Sequence, residues 1–309
     1  MSTILNKKAK PFLKWAGGKT QLLETFELYY PKAIYEGKVK RYIEPFVGSG
    51  AVLFEIGQTF DFEDIYIWDI NPELILVYEV IKNNVDDLIE KLKEKEDQYL
   101  ALESEGRKAY YYKIRDEFNN ALNGFDFYRY HKGKIERASQ MIFLNRTCFN
   151  GLFRVNKSGY FNVPMGDYKK PTICDEENLR AVSQFLQRVN INLGDYKESR
   201  DYVNDETFVY FDPPYRPLNQ TSNFTSYSKY DFTDENQKEL ARYFAELDAK
   251  GAFLMLSNSD PKNTNEQDHF FDELYAPFNI YRISAKRMIN SKASKRGAIN
   301  EILVTNYKD

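Results

Sequence analysis

The residues best suited to chemistry are Asp212-Pro213-Pro214-Tyr215, which follow the apolar run Phe208-Val209-Tyr210-Phe211. Such a run reads as a buried strand, and two prolines end it, because proline has no N–H and a fixed φ. Asp212 is therefore expected at the carboxyl end of a strand, where open α/β sheets place their ligands. The stiff Pro213-Pro214 segment can aim carbonyls as acceptors, and Tyr215 adds an aromatic face. A carboxylate, a rigid carbonyl and a ring together suit a planar group with an exocyclic amine, such as adenine. Taken alone, the tetrapeptide reads equally well as a strand and a proline turn.

A second group, Glu44-Pro45-Phe46-Val47-Gly48-Ser49-Gly50, lies between a predicted strand at 41–46 and a helix beginning near Ala51. That is the setting a glycine-rich nucleotide turn requires. Gly48 and Gly50 let the backbone approach a ligand closely. The third small residue of a dinucleotide fingerprint is missing, because Leu53 stands there. Asp69 closes the next predicted strand about 20 residues on, where an acid accepts hydrogen bonds from ribose hydroxyls. A nucleoside site without a pyrophosphate cradle points to S-adenosylmethionine over NAD, although the glycines alone would also make an ordinary turn. Lys14-Trp15-Ala16-Gly17-Gly18-Lys19-Thr20 is not a P-loop, since Leu13 occupies the place of its first glycine. A Gly-Gly turn with Lys19 as the charge and Trp15 as the wall could still grip a carboxylate.

Positioning these groups falls to alternating elements. Strands are expected at 41–46, 65–69, 191–193, 207–211, 252–256 and 302–305. Helices are expected from Ala51, then over 74–102, 107–122, 134–144, 176–188, 233–249 and 269–275, with Pro72 near the start of the second. Strands separated by helices imply an α/β fold with a mostly parallel, doubly wound sheet. Residues 145–171 lose any clear period and read as loops with a short hairpin around Tyr160–Val163. The stretch 72–174 thus interrupts the alternation as an inserted, mainly helical second domain, leaving 1–71 and 175–309 as one discontinuous domain.

The 309 residues hold no apolar stretch near membrane-spanning length, and the lysine-bearing N-terminus does not read as a signal peptide. Cys148, Cys174, His131 and His269 fit no metal-ligand spacing, so no metal and no disulfide framework are expected, and the location is read as cytoplasmic. Net charge is −3, yet basic residues cluster. Residues 7–19 hold five lysines and no acid, 129–170 hold nine Lys or Arg against two acids, and 282–297 hold six and none. Basic patches on an acidic protein are what phosphate-backbone binding needs, and equally what any solvated surface can show.

Three motifs stand in one order: Phe12-Leu13-Lys14-Trp15-Ala16-Gly17-Gly18-Lys19, then Glu44 to Gly50, then Asp212-Pro213-Pro214-Tyr215. With Asn145-Arg146, Phe149-Asn150-Gly151-Leu152-Phe153-Arg154, Phe161-Asn162-Val163-Pro164, Tyr168-Lys169-Lys170-Pro171 and Asn223-Phe224-Thr225, this resembles the Dam-type (D12 class, alpha-group) site-specific DNA adenine-N6 methyltransferases over nearly the whole chain. The resemblance implies a Rossmann-like S-adenosylmethionine-dependent domain, a target-recognition insertion, double-stranded DNA as partner and a flipped-out adenine. It places Trp15, Lys19, Glu44, Phe46, Gly48, Gly50, Asp69 and Asp212 at S-adenosylmethionine, with Lys19 near its carboxylate and Asp69 on its ribose. Asp195, after the 191–193 strand, either faces the cofactor's adenine or is an ordinary turn acid. Asp212, Pro213 and Tyr215 would be catalytic. Phe149 would fill the gap left by the flipped base, Lys14 and Arg154 would read base edges, and Asn150, Leu152 and Pro164 would complete the DNA contact.

One departure is Gly166-Asp167-Tyr168-Lys169, where the family usually has Gly-Arg-Tyr-Lys. An acid in the recognition region repels phosphate, which bears on whether the site read is GATC or a relative. A cognate restriction endonuclease is the functional partner the resemblance allows. Two competing readings are methylation of RNA or of a protein amide, and a DNA-binding relative without catalysis. The basic, aromatic insertion favours a nucleic acid over an amide, and intact Trp15, Lys19, Asp69 and Asp212 favour an enzyme.

Overall fold

The structure, a computed structural model, describes residues 8–216, 232–286 and 298–308. Two short helices, α1 (Leu23–Glu27) and α2 (Lys32–Tyr35), precede strand β1 (Arg41–Glu44) and helix α3 (Ala51–Thr59). β2 (Asp64–Asp69) leads into α4 (Pro72–Asn83), α5 (Val85–Leu100), α6 (Ser104–Asn120) and α7 (Gly133–Thr147). The chain returns through α8 (Glu176–Leu186) to β3 (Val189–Leu193), β4 (Thr207–Phe211), α9 (Asp234–Asp248) and β5 (Phe253–Ser259). Last come α10 (Phe270–Leu274), β6 (Asn279–Lys286) and β7 (Ala298–Thr305).

The strands form one seven-stranded sheet in the order β3-β2-β1-β4-β5-β7-β6. β1 to β5 are parallel, whereas β7 runs antiparallel between β5 and β6. The expected mixed α/β, mostly parallel sheet is therefore present. β4 is buried along its whole length, as a central strand covered on both faces must be. Strand order reverses between β1 and β4, so the crevice for a ligand lies at the carboxyl ends of these two strands. Glu44 ends one and Asp212 follows the other.

Residues between β2 and β3 make a single long crossover containing α4 to α8. Asn71 starts α4, its side chain accepting the Glu73 and Leu74 N–H groups at 3.0 and 3.4 Å, with Pro72 next. Apolar residues of α4, α5, α6 and α7 share a core with one face of the sheet, among them Leu76, Leu92, Tyr111 and Phe143. The other face packs against α9 through Leu240, Phe244 and Leu247. No helix among the described residues is long and apolar enough to cross a membrane.

Several elements differ from the sequence reading. The single helix expected over 74–102 is two, broken at Asn84 with φ −140° and ψ 38°. β6 was not foreseen, because it is an edge strand whose only partner, β7, follows at the end of the chain. The charge clusters also differ from the exposed basic patches that counting suggests. Within 129–170, Arg137 is buried against Glu73 and donates to the Phe118 carbonyl at 2.9 Å, while Lys134 pairs with Glu79 at 3.1 Å. Arg146 donates to the Phe12 carbonyl at 2.9 Å. Arg282 is held by Asp260 at 3.0 Å and Asp272 at 2.7 Å. Lys134, Arg137 and Arg146 serve the fold, because a charge shielded from water needs a partner, whereas Arg282 makes its pairs partly exposed at the surface. The remainder of the third cluster, 287–297, lies outside the described residues, as do Lys7 and the segment Asn223-Phe224-Thr225.

Candidate active site

The turn after β1 brings glycine to two backbone positions in the left-handed region, Gly48 with φ 48° and Gly50 with φ 74°. A Cβ at Gly50 would stand 2.6 Å from the Tyr78 hydroxyl, so glycine there is a packing necessity as well as a conformational one. The Gly48 N–H donates to Asp69 Oδ2 at 3.1 Å, and the Asn71 N–H donates to Asp69 Oδ1 at 2.9 Å. Asp69 therefore ties the glycine turn to the start of α4. Burial pushes its carboxyl up to about 6, with the backbone donors of Asn71, Gly48 and Ile70 opposing the shift.

A cleft opens at the strand-order reversal, lined by Trp15, Lys19, Glu44, Gly48, Tyr210 and Asp212 among others. Lys19 reaches it from a loop far away in sequence and is buried. Its ammonium lies 2.7 and 2.8 Å from the two Asp212 carboxylate oxygens and donates to the Gly17 carbonyl at 2.5 Å. It also stands 4.7 Å from the centre of the Tyr215 ring. Lys19, expected beside a cofactor carboxylate, is thus placed on Asp212. Burial raises the Asp212 carboxyl above its ordinary range, and the Lys19 charge opposes this. Glu44 is held well above the carboxylate range by burial, despite a 2.7 Å hydrogen bond donated by Tyr42.

Neighbours that the sequence reading did not single out fix the Asp212–Tyr215 loop. Ser257 on β5 donates to Asp212 Oδ1 at 3.1 Å and is itself 2.8 Å from the Tyr210 hydroxyl. Tyr215 donates to Glu301 Oε2 on β7 at 2.6 Å. Gln237 on α9 donates to the Pro214 carbonyl at 3.0 Å, leaving Pro213 as the carbonyl nearer Asp212 in sequence. The polar run Ser257-Asn258-Ser259-Asp260, closing an apolar strand, was the available signal for Ser257. Nothing local marks Glu301, which belongs to a strand 86 residues further along. Ser257→Ala removes one hydrogen bond to a charged acceptor. It is expected to cost about 1.5–3 kcal/mol of stability, read as a fall in the urea midpoint.

Phe46, Asp69 and Asp195 lie outside the cleft lining. Phe46 stacks on Tyr196 with centroids 5.1 Å apart and meets Phe232 edge-on at 6.0 Å, making an aromatic shelf. Asp195 accepts the Lys197 N–H at 2.9 Å as the cap of a short turn of helix, so one of its oxygens is committed to the fold.

The expected DNA contacts gather on a second surface. Phe149 is 53% exposed, and Asn150 has φ 56°, alone among described non-glycine residues in lying above zero. The Phe149 N–H donates to the Pro164 carbonyl at 2.9 Å, and Leu152 is half-buried against the core. Arg154 donates to Asn162 Oδ1 at 2.8 Å across a hairpin closed by the Val155–Phe161 bridge, where a short hairpin was expected. Lys14 lies against Gly151, with its ammonium 4.6 Å from the centre of the Tyr168 ring. Trp15, at the wall of the cleft, stacks on Phe153 with centroids 5.4 Å apart. The two surfaces therefore meet at Lys14-Trp15.

Comparison with known proteins accords with this geometry. Residues 15–289 match the family model for D12 class N6 adenine-specific DNA methyltransferases. The chain is 53% identical to the type II methyltransferase M.MjaIII of Methanocaldococcus jannaschii, over 97% of this chain and 100% of that one. It is 40% identical to the type II methyltransferase M1.LlaDCHI of Lactococcus lactis subsp. cremoris, covering 96% and 95% of the two chains. It is 33% identical to the DNA adenine methylase of Escherichia coli K12, covering 96% and 95%. With a carboxylate, an aromatic ring and a glycine-walled cleft at the carboxyl ends of β1 and β4, and the family model matched over residues 15–289, the chain belongs to the D12 class N6 adenine-specific DNA methyltransferases.

Proposed function

We propose that the chain transfers a methyl group from S-adenosylmethionine to the N6 amine of an adenine turned out of a short duplex site, GATC or a close relative. The observation that carries this reading is the convergence of Asp212, Lys19, Glu44 and the glycine turn on one cleft at the strand-order reversal. The residues there fit the cofactor. Gly48 and Trp15 form a wall, Asp69 retains lone pairs for ribose hydroxyls, and the Phe46–Tyr196 shelf suits an adenine ring. Asp195 keeps one oxygen for the same ring. Gly50 shapes the turn from behind.

When bound, S-adenosylmethionine supplies an electrophilic methyl on a sulfonium, so the amine needs orientation more than a strong base. Asp212 and the Pro213 carbonyl accept its two N–H groups, which favours a pyramidal nitrogen with its lone pair free. Positioning of this kind is worth at most roughly 7–11 kcal/mol. Tyr215, held by Glu301, stacks on the base for about 1–3 kcal/mol. That gain and insertion of Phe149 into the stack offset the few kcal/mol that flipping costs. The Lys19 ammonium donates to Asp212 as the target amine would, so adenine must take over at least one of those oxygens.

Residues 72–174 act as the target-recognition part, and 1–71 with 175–309 as the catalytic part. Lys14 and Arg154 read base edges, supported by Asn150, Leu152 and Pro164. A restriction endonuclease of matching specificity is the partner that the type II names of two relatives suggest. If Arg154 grips a guanine, Arg154→Ala should cost about 1–3 kcal/mol and relax preference at one base pair. Modification-sensitive sequencing of DNA from expressing cells reads this directly. Uniform weakening over all sequences would assign Arg154 to phosphate.

Asp69 supplies a pH dependence. Its folded value is raised to about 6, so the charged acceptor form is lost as pH falls through that region. Affinity for S-adenosylhomocysteine is expected to weaken several-fold between about pH 7.5 and 5.5, and Asp69→Asn should flatten the profile. A flat wild-type profile removes Asp69 from the ribose contact. Transfer of labelled methyl from S-adenosylmethionine to duplex DNA tests the reaction itself.

A further inference from the structure

Asn145 lies in the last turn of α7, 1% exposed, with all three of its side-chain hydrogen bonds directed at backbone. Its Oδ1 accepts the Lys14 N–H at 2.9 Å. Its Nδ2 donates to the Lys14 carbonyl at 2.8 Å and to the Gly151 carbonyl at 2.9 Å. One amide thus grips both backbone groups of Lys14, as a neighbouring strand would, and joins them to the loop that carries Phe149, Asn150 and Leu152. The contact is close. A Cβ at Gly151, where φ is 65°, would stand 2.3 Å from Lys14 Cδ and 2.7 Å from its Cβ. Arg146, the next residue, anchors the same segment through the Phe12 carbonyl.

We propose that Asn145 is a positioning residue for sequence discrimination, fixing Lys14 and the 149–154 loop in one register so that both sides of the reader address the same base pairs. This rests on the reading that Lys14 and that loop face DNA bases. Two base contacts discriminate together only if their separation is fixed. A reader whose halves slide can satisfy either contact on many sequences. The amide is needed as such, because one backbone donor and two backbone acceptors meet it and the amide itself is buried. A carboxylate of equal size keeps the Lys14 N–H bond but faces two carbonyls with no hydrogen to offer.

Asn145→Asp is the test, with full-length protein expressed in cells lacking adenine methylation and their DNA read by modification-sensitive sequencing. The quantity is the ratio of methylation at the motif the wild type prefers to methylation at motifs differing by one base pair. The ratio is expected to fall at least about tenfold, the size of one base contact. S-Adenosylhomocysteine affinity of the purified variant should stay within about threefold of wild type, since Asn145 does not line the cleft and Trp15 keeps its stack on Phe153. Should Asn145→Asp not fold, Gly151→Ala displaces Lys14 by an independent route and is expected to lower the same ratio. An unchanged ratio in the folded variant, including an equal loss at every motif, overturns the inference while leaving the base-reading roles of Lys14 and Arg154 standing. A wild type that methylates adenine with no site preference overturns those roles and this inference with them.

Discussion

Asp212→Ala is expected to lose methyl transfer by roughly 10²–10³-fold or more, the size seen when a preorganised polar group is removed from a reacting centre. The variant should also lose stability, because Lys19 is buried on Asp212 and the truncation strands its ammonium. Removing one partner of a buried pair costs about 3–5 kcal/mol. Asp212→Asn separates the two effects, since its amide oxygen can still accept from Lys19 while the charge is gone. It should lose less stability in urea than Asp212→Ala, with transfer still severely reduced. Turnover like that of the wild type in a folded Asp212→Asn would remove the carboxylate from the mechanism.

The largest effect on stability is expected at Arg137. Its guanidinium is enclosed by Glu73, by the Phe118 carbonyl and by the rings of Phe118 and Phe125, whose centres lie 4.1 and 4.8 Å away. Arg137→Ala leaves Glu73 without its partner, and burial already pushes the Glu73 carboxyl above its ordinary range. Truncation should cost roughly 3–5 kcal/mol, read as a fall in the urea midpoint. Glu73→Gln together with Arg137→Met should recover much of that loss, because a matched apolar and neutral pair leaves no charge stranded. A midpoint unchanged in Arg137→Ala would mean that the pair contributes nothing and that the helices are held by apolar packing alone.

The main features of the site were legible because their signals are local. An apolar run stopped by two prolines marks the end of β4, and an acid a fixed distance beyond a glycine turn marks the end of β2. Those two facts assign Asp69 to the end of β2 and Asp212 to the end of β4. Convergence in space was not legible. Lys19 and Asp212 lie 193 residues apart, and no spacing rule states that they pair. Ser257 and Glu301 reach the loop from β5 and β7, whose pairing depends on a strand that runs antiparallel to the rest. The charge count misled for a related reason. Lys134, Arg137 and Arg146 read as a basic patch along the chain, yet each is turned inward to a specific acceptor. The helix break at Asn84 carries no glycine or proline, so the pattern ran on through it.

The most direct test of the central claim is mass spectrometry of nucleosides from duplex DNA incubated with purified protein and S-adenosylmethionine bearing a deuterated methyl group. The account predicts labelled N6-methyladenine as the product, absent when Asp212→Asn replaces the wild type. Label confined to N4-methylcytosine, or no label in DNA under conditions where the protein binds S-adenosylhomocysteine, would contradict it.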